Sequence, residues 1–200
     1  MENHSYDQVR TAPYTASLVA SGSSFSSSYG ITHPSQPNYL AIWSGGTQGV
    51  INNNCPAPGS PFIVENLGHA CEMAGISWKA YSEDLPSPGW SGCSANAGLY
   101  HRRHCPWTNF GNLDHLNERP YNDLAADIAA GTLPQLAFVT PNNCHNSHDC
   151  AVAEGDAWLA ANVPVMLQSV GPSGLVVLTW DEDDGSAGRR PLAHPEERGD

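Results

Sequence analysis

The sequence predicts a single α/β domain built on a mainly parallel sheet, and three observations carry that prediction. Segments with helical spacing alternate along the chain with short apolar runs of strand character. Those runs, at 76–81, 136–140 and 175–180, are bounded by Gly, Pro and Asn rather than joined by tight hairpin turns. Polar clusters follow two of them, Asn142 onward and Asp181-Glu182-Asp183-Asp184, where parallel sheets collect functional residues beyond their carboxyl ends.

Each element has a local reason. A Ser-x-Pro start at Ser35 opens a helix over 37–43. Residues 64–74 have helical spacing and stop at Gly75, and residues 121–130 are amphipathic and stop at Gly131. A helix over 154–169 contains Pro164, which predicts a bend. The run Leu-Val-Val-Leu-Thr-Trp at 175–180 reads as a buried strand. Residues 82–116 read as an irregular excursion lining one wall of the site. The domain is expected to span 1–185, with 186–200 a disordered tail.

The formal net charge of −12 and the scatter of eight Lys and Arg argue against a nucleic-acid partner, since a polyanion is repelled. No apolar run is long enough to predict a membrane span. One lysine against seven arginines is the bias of a GC-rich bacterial gene. Six cysteines without a CxxC pair read as disulfides and an oxidising, secreted or periplasmic location. Fifteen pairings are open, and local loops suggest 55–71, 93–105 and 144–150. A signal peptide is not visible at Met1, which suggests an incomplete chain.

Ser35 is placed as a helix N-cap, at the positive end of a helix dipole beside unpaired backbone N–H groups that suit phosphate oxygens. Asn38 can turn its amide to a phosphoryl oxygen. Glu2, Asn3, Asp181 and Glu182 are oxygen donors suited to one divalent metal ion, of undetermined identity, which would acidify the Ser35 hydroxyl. His33, His104, His145 and His148 lie in polar contexts where an imidazole can bind phosphate or protonate an alcohol. Asp183 and Asp184 read as solvated loop.

Taken together, Glu2-Asn3-His4-Ser5-Tyr6, His33-Pro34-Ser35-Gln36-Pro37-Asn38-Tyr39, residues 78–86, 100–106, 138–142, 148–159 and Asp181-Glu182-Asp183 resemble the phosphoesterase family of acid phosphatases and phospholipases C, within the alkaline phosphatase superfamily. The resemblance implies an alkaline-phosphatase-like three-layer sandwich, truncated at both ends because the family has a strand before the Glu-Asn pair and further strands after the Asp-Glu cluster. It implies a metal held by Glu2, Asn3, Asp181 and Glu182, a phosphoserine at Ser35, and Asn38 on a phosphoryl oxygen. His104 and His148 would face the phosphate or leaving group. The expected activity is hydrolysis of a phosphomonoester, small molecule or lipid head group. The alternatives are a phospholipase C-type phosphodiesterase and a non-catalytic secreted fragment.

Overall fold

The computed structural model of the chain describes residues 1–25 and 28–185, and the expected tail at 186–200 lies outside the described residues. Helices α1 (Tyr6–Val9), α2 (Pro13–Ser21), α3 (Ser35–Ser44) and α4 (Leu67–Ala74) precede strand β1 (Trp78–Ser82). The excursion that follows holds a two-residue antiparallel pair, β2 (Ser94–Ala95) and β3 (Tyr100–His101), among four short 3₁₀ turns. Strand β4 (Glu118–Pro120), helix α5 (Asn122–Ala130), strand β5 (Leu136–Thr140) and helix α6 (Val152–Val170) complete the order.

The main sheet is parallel, in the order β4-β1-β5, with Ala80 opposite both Glu118 and Phe138. Side chains alternate across it. Trp78, Ala80, Leu136 and Phe138 face a core shared with Leu40 and Trp43 of α3 and with Trp107 and Phe110 of the excursion. Val139 faces the other way, onto Trp158, Leu159 and Val163 of α6. Lys79 and Tyr81 of β1 point to α5, where both reach Asp127 Oδ2, at 2.6 and 2.7 Å. Helices thus cover both faces of a parallel sheet, the expected α/β layering.

The helix stops at Gly75 and Gly131 are borne out, both in the left-handed region at φ +67°. Pro164 lies inside α6. Helices α1 and α2 carry no clear sequence signal. The first turn of α2 is held from afar: Asp156 accepts from Tyr14 N at 2.9 Å and from Thr15 N at 2.7 Å, a carboxylate at a helix N-terminus.

Two expectations are corrected. Residues 175–180 form no ladder with a strand. Leu178 packs beside α6, but Leu175 and Val177 lie mostly in solvent, and only the end of the run bonds, to Met1. A strand needs backbone partners, and β5 is separated from this run by an apolar groove of about 400 Å³. The cysteines pair as Cys55–Cys93 and Cys144–Cys150. The pairings 55–71 and 93–105 fail because Cys71 is buried on the inner face of α4 and Cys105 is buried against Ser82 Oγ at 3.3 Å. Among the described residues no helix is long and apolar enough to cross a membrane.

Candidate active site

The site is assembled from three distant segments. Met1 N donates to Thr179 O at 3.1 Å and Asp181 N to Met1 O at 3.2 Å, which sets residues 1–3 alongside 179–182. Glu2 N donates to Asn146 O at 2.9 Å, tying the same strip to the loop after β5. Helix α3 then delivers Ser35 against both. Ser35 is the first residue of the helix, and the N-cap is Pro34, one position before the cap the sequence suggests. The shift follows from Pro34, whose extended backbone ends the preceding loop. The His33–Pro34 peptide is cis.

Ser35 is 1 % exposed and its hydroxyl has two carboxylates within reach. Glu182 Oε1 accepts from Ser35 Oγ at 2.9 Å, and Glu2 Oε2 lies at 3.3 Å. Glu2, Asp181 and Glu182 are all buried. Burial, together with the neighbouring Asp181 charge, holds the Glu2 and Glu182 carboxyls above their usual range; burial does the same to Asp181. Both oxygens of Asp181 and Oδ1 of Asn3 are buried with no hydrogen-bond partner among the described residues. Uncompensated like charges of this kind call for protons or for a cation.

No three His, Cys, Asp or Glu among the described residues form a closed metal-ligand group. The ring around Ser35 is looser than such a group, but its unpaired atoms are all hard oxygens, the donor set of a divalent cation such as magnesium, calcium or manganese. Glu2, Asn3 and Asp181 fit that group, with Glu182 beside them. Asn3 sits at φ +42°, a backbone region asparagine tolerates.

The remaining residues divide. Asn38 spends its amide on the loop before Ser35: Oδ1 accepts from Ile31 N at 2.9 Å and Thr32 N at 3.0 Å, and Nδ2 donates to Thr32 O at 2.7 Å. It shapes the approach to Ser35 in this structure rather than presenting a free amide. His104 is buried, with Nε2 at 3.5 Å from Glu2 Oε2, and burial and the Arg103 charge keep its pKa well below the usual value. Arg103 Nε donates to that same Nε2 at 3.1 Å, so the imidazole proton belongs on Nδ1. The His148 ring centre is 6.1 Å from that of His104, and its Nδ1 meets Asp149 Oδ1 at 2.6 Å. His145 is turned away, bonded to Glu83 at 2.8 Å and stacked on Trp158.

Three neighbours carry weight that the sequence does not reveal. Tyr39, one helical turn beyond Ser35 on the same face, donates to Glu2 Oε1 and stacks on His104 with ring centres 5.3 Å apart. Its i+4 spacing from Ser35 is the one available signal. Asp183, expected to be solvated, is buried, and its Oδ1 lies 3.3 Å from His33 Nε2 while Glu182 Oε2 lies 2.5 Å from His33 Nδ1. Arg103 flanks His104 from the excursion and carries no sequence signal of its own.

Known proteins resemble this chain along most of its length. The Phosphoesterase family matches residues 1–198. A phosphatidylinositol-3-phosphatase of Mycobacterium tuberculosis is 38% identical over 179 residues, which is 89% of this chain and 58% of the relative. An acid phosphatase of Aspergillus fumigatus is 29% identical over 195 residues, covering 92% and 43%. A phosphate-repressible acid phosphatase of Penicillium chrysogenum is 28% identical over 194 residues, covering 92% and 47%. The chain spans about half the length of the curated relatives it matches. With the match running from Met1 past the Asp181–Glu182 pair that meets Ser35, this chain belongs to the Phosphoesterase family.

Proposed function

We propose that this chain carries the site of a secreted, metal-dependent phosphoric ester hydrolase, a phosphomonoesterase that acts through a phosphoserine at Ser35. The observation that carries the reading is the Ser35 hydroxyl at the start of α3, bonded to Glu182 and ringed by buried carboxylates. A serine there has no structural need of three carboxylates, whereas a nucleophile needs its proton removed.

Glu2, Asn3, Asp181 and Glu182 are the residues that would hold one divalent cation, which when bound lowers the pKa of a neighbouring hydroxyl and offsets phosphoryl charge. Glu182 Oε1 receives the Ser35 proton as Oγ attacks phosphorus, the P–O ester bond breaks, and the alcohol leaves. His148, held at Nδ1 by Asp149 and with Nε2 free of hydrogen-bond partners among the described residues, relays a solvent proton through Nε2 to the departing oxygen. His104, neutral and braced by Tyr39, lies along the phosphoryl group; Asn38 keeps the 31–34 loop clear of Ser35. Water then attacks phosphorus, His148 Nε2 takes its proton, Glu182 returns its own to Ser35 Oγ as that P–O bond breaks, and free phosphate departs. The two disulfides support an oxidising location. The relative named as a phosphatidylinositol-3-phosphatase supports a phosphorylated lipid head group as one substrate class.

Hydrolysis of p-nitrophenyl phosphate, measured with and without a chelator and beside Ser35→Ala, tests the reading. Chelator-sensitive turnover that falls by at least about 10³-fold in Ser35→Ala is expected. Turnover that survives Ser35→Ala rejects the nucleophile.

A further inference from the structure

The chain carries a net charge of −12, yet one wall of the site places an arginine among histidines. Arg103 donates to His104, and the rings of His101 and His148 are each centred 6.1 Å from that of His104. The other described cations are engaged. Arg10, Lys79 and Arg119 pair with aspartates at 2.9, 2.6 and 2.8 Å, and Arg102 donates to Ser91 O at 2.8 Å and Thr108 O at 2.9 Å. Arg103 has no carboxylate partner among the described residues. The nearby carboxylate of Asp149 is taken by His148 at 2.6 Å and by Asn143 at 3.0 Å.

The bond from Arg103 Nε to His104 uses one edge of the guanidinium, and among the described residues neither Nη atom has a hydrogen-bond partner. Contacts of 3.3, 3.5 and 3.1 Å lead from Ser35 Oγ through Glu2 Oε2 and His104 Nε2 to Arg103 Nε. Arg103 Nε therefore lies at most about 10 Å from Ser35 Oγ, a gap that the P–O bonds of a phosphoryl group on Oγ and the Nη atoms beyond Nε can divide between them. A phosphate entering beside buried carboxylates is repelled unless opposite charge meets it, and an arginine fork is the side chain that matches two phosphate oxygens at once.

We infer that Arg103 sets this site for phosphate monoesters over diesters, its Nη edge clamping two terminal oxygens of the phosphoryl group. The inference rests on the reading of Ser35 as nucleophile. During in-line attack a monoester presents three unsubstituted equatorial oxygens and a double charge. A diester replaces one of those oxygens by an ester group and carries one charge. The fork keeps two oxygens to meet, but has one pair to choose from rather than three, an ester group beside it, and about half of its Coulombic attraction.

The test compares p-nitrophenyl phosphate with bis-(p-nitrophenyl) phosphate in the wild-type chain, Arg103→Lys and Arg103→Met, with binding of inorganic phosphate read by calorimetry. Arg103→Met is expected to lower kcat/KM on the monoester by about 10²-fold, to lower it on the diester by about tenfold or less, and to weaken phosphate binding by at least about tenfold. Arg103→Lys restores part of the monoester rate, as a point charge without the fork. Near-UV circular dichroism checks that each variant is folded. If Arg103→Met is not folded, the monoester-to-diester ratio of Arg103→Lys decides alone, and an unchanged ratio overturns the clamp. Equal losses on both substrates, or none, overturn it as well. A flat Arg103 series in an enzyme that Ser35→Ala inactivates rejects only the clamp; turnover that ignores Ser35→Ala rejects the nucleophile and the clamp with it. In a chain that does not turn over, phosphate binding decides: affinity unchanged in Arg103→Met rejects the clamp.

Discussion

Asp181 keeps two buried carboxylate oxygens without a hydrogen-bond partner among the described residues, beside Glu2 and Glu182. In metal-free protein this is repulsion stored in the native state, so Asp181→Asn should stabilise the chelated protein by about 1–2 kcal/mol. Activity should fall at least about 100-fold in the same variant, and urea unfolding in chelator beside turnover reads both. The three raised carboxyls also fix a pH dependence. A carboxyl with a folded-state pKa above its unfolded value binds its proton more tightly when folded, so stability is lost as pH climbs from the ordinary carboxylate range through the raised values. In chelated protein the gain in melting temperature from Asp181→Asn should therefore be larger at pH 7 than near pH 5, a comparison in which the opposing demand of the buried His104 cancels, and saturating divalent cation should narrow the difference. The meeting of Ser35 with Glu2 and the 181–182 carboxylates is legible in the sequence because each residue type has its own chemistry. Arg103 and Tyr39 were not: an arginine in an irregular loop and a tyrosine on an apolar helix have ordinary uses, and only the fold shows what they face.

Elements were legible where local rules decide them. Strand β5 begins and ends where its apolar run does, and α4 and α5 stop at their glycines. Helix α2 was hidden because its N-terminus is satisfied by Asp156, 141 positions from Thr15. The run at 175–180 misled because a strand is a property of a pair, and strand composition says nothing of whether a neighbour lies alongside. Helix α6 has a further task, visible at Gly155. A Cβ there would meet Ser147 Oγ at 2.1 Å, Met1 Cε at 2.9 Å and His145 O at 3.1 Å. Ser147 can rotate, but the His145 carbonyl is backbone. Gly155→Ala should cost about 1–3 kcal/mol by overpacking. Because the same strip carries Glu2, it should also lower turnover in protein that is still folded, measured as specific activity below the melting transition.

The whole molecule is held by two covalent links of unequal reach. Cys55–Cys93 closes a separation of 38 residues and Cys144–Cys150 one of 6. On chain-entropy grounds the first should contribute roughly 4 kcal/mol and the second about 2. Replacing Cys55 and Cys93 together by serine should therefore lower the denaturation midpoint more than replacing Cys144 and Cys150. Thiol titration should find two free sulfhydryls in unreduced protein under denaturant and almost none before it, since Cys71 and Cys105 are buried and burial pushes the Cys105 thiol up to about 12. The long reach of the first link was not legible because sequence distance favours local loops while the fold brings the 50s against the 90s.

The uneven pairing of the sheet bears on how the molecule wears out. Strand β1 is bonded on both edges, while the strip carrying Asp181 and Glu182 hangs on its bonds to Met1 beyond an apolar groove. Local opening draws first on segments with few backbone bonds. On warming, deuterium should enter the amides of 179–182 well before those of β1, and the carboxylates would drift from Ser35 while the core stands. Heat would then silence this protein as a nearly intact fold, recoverable on cooling, before it ever denatured it.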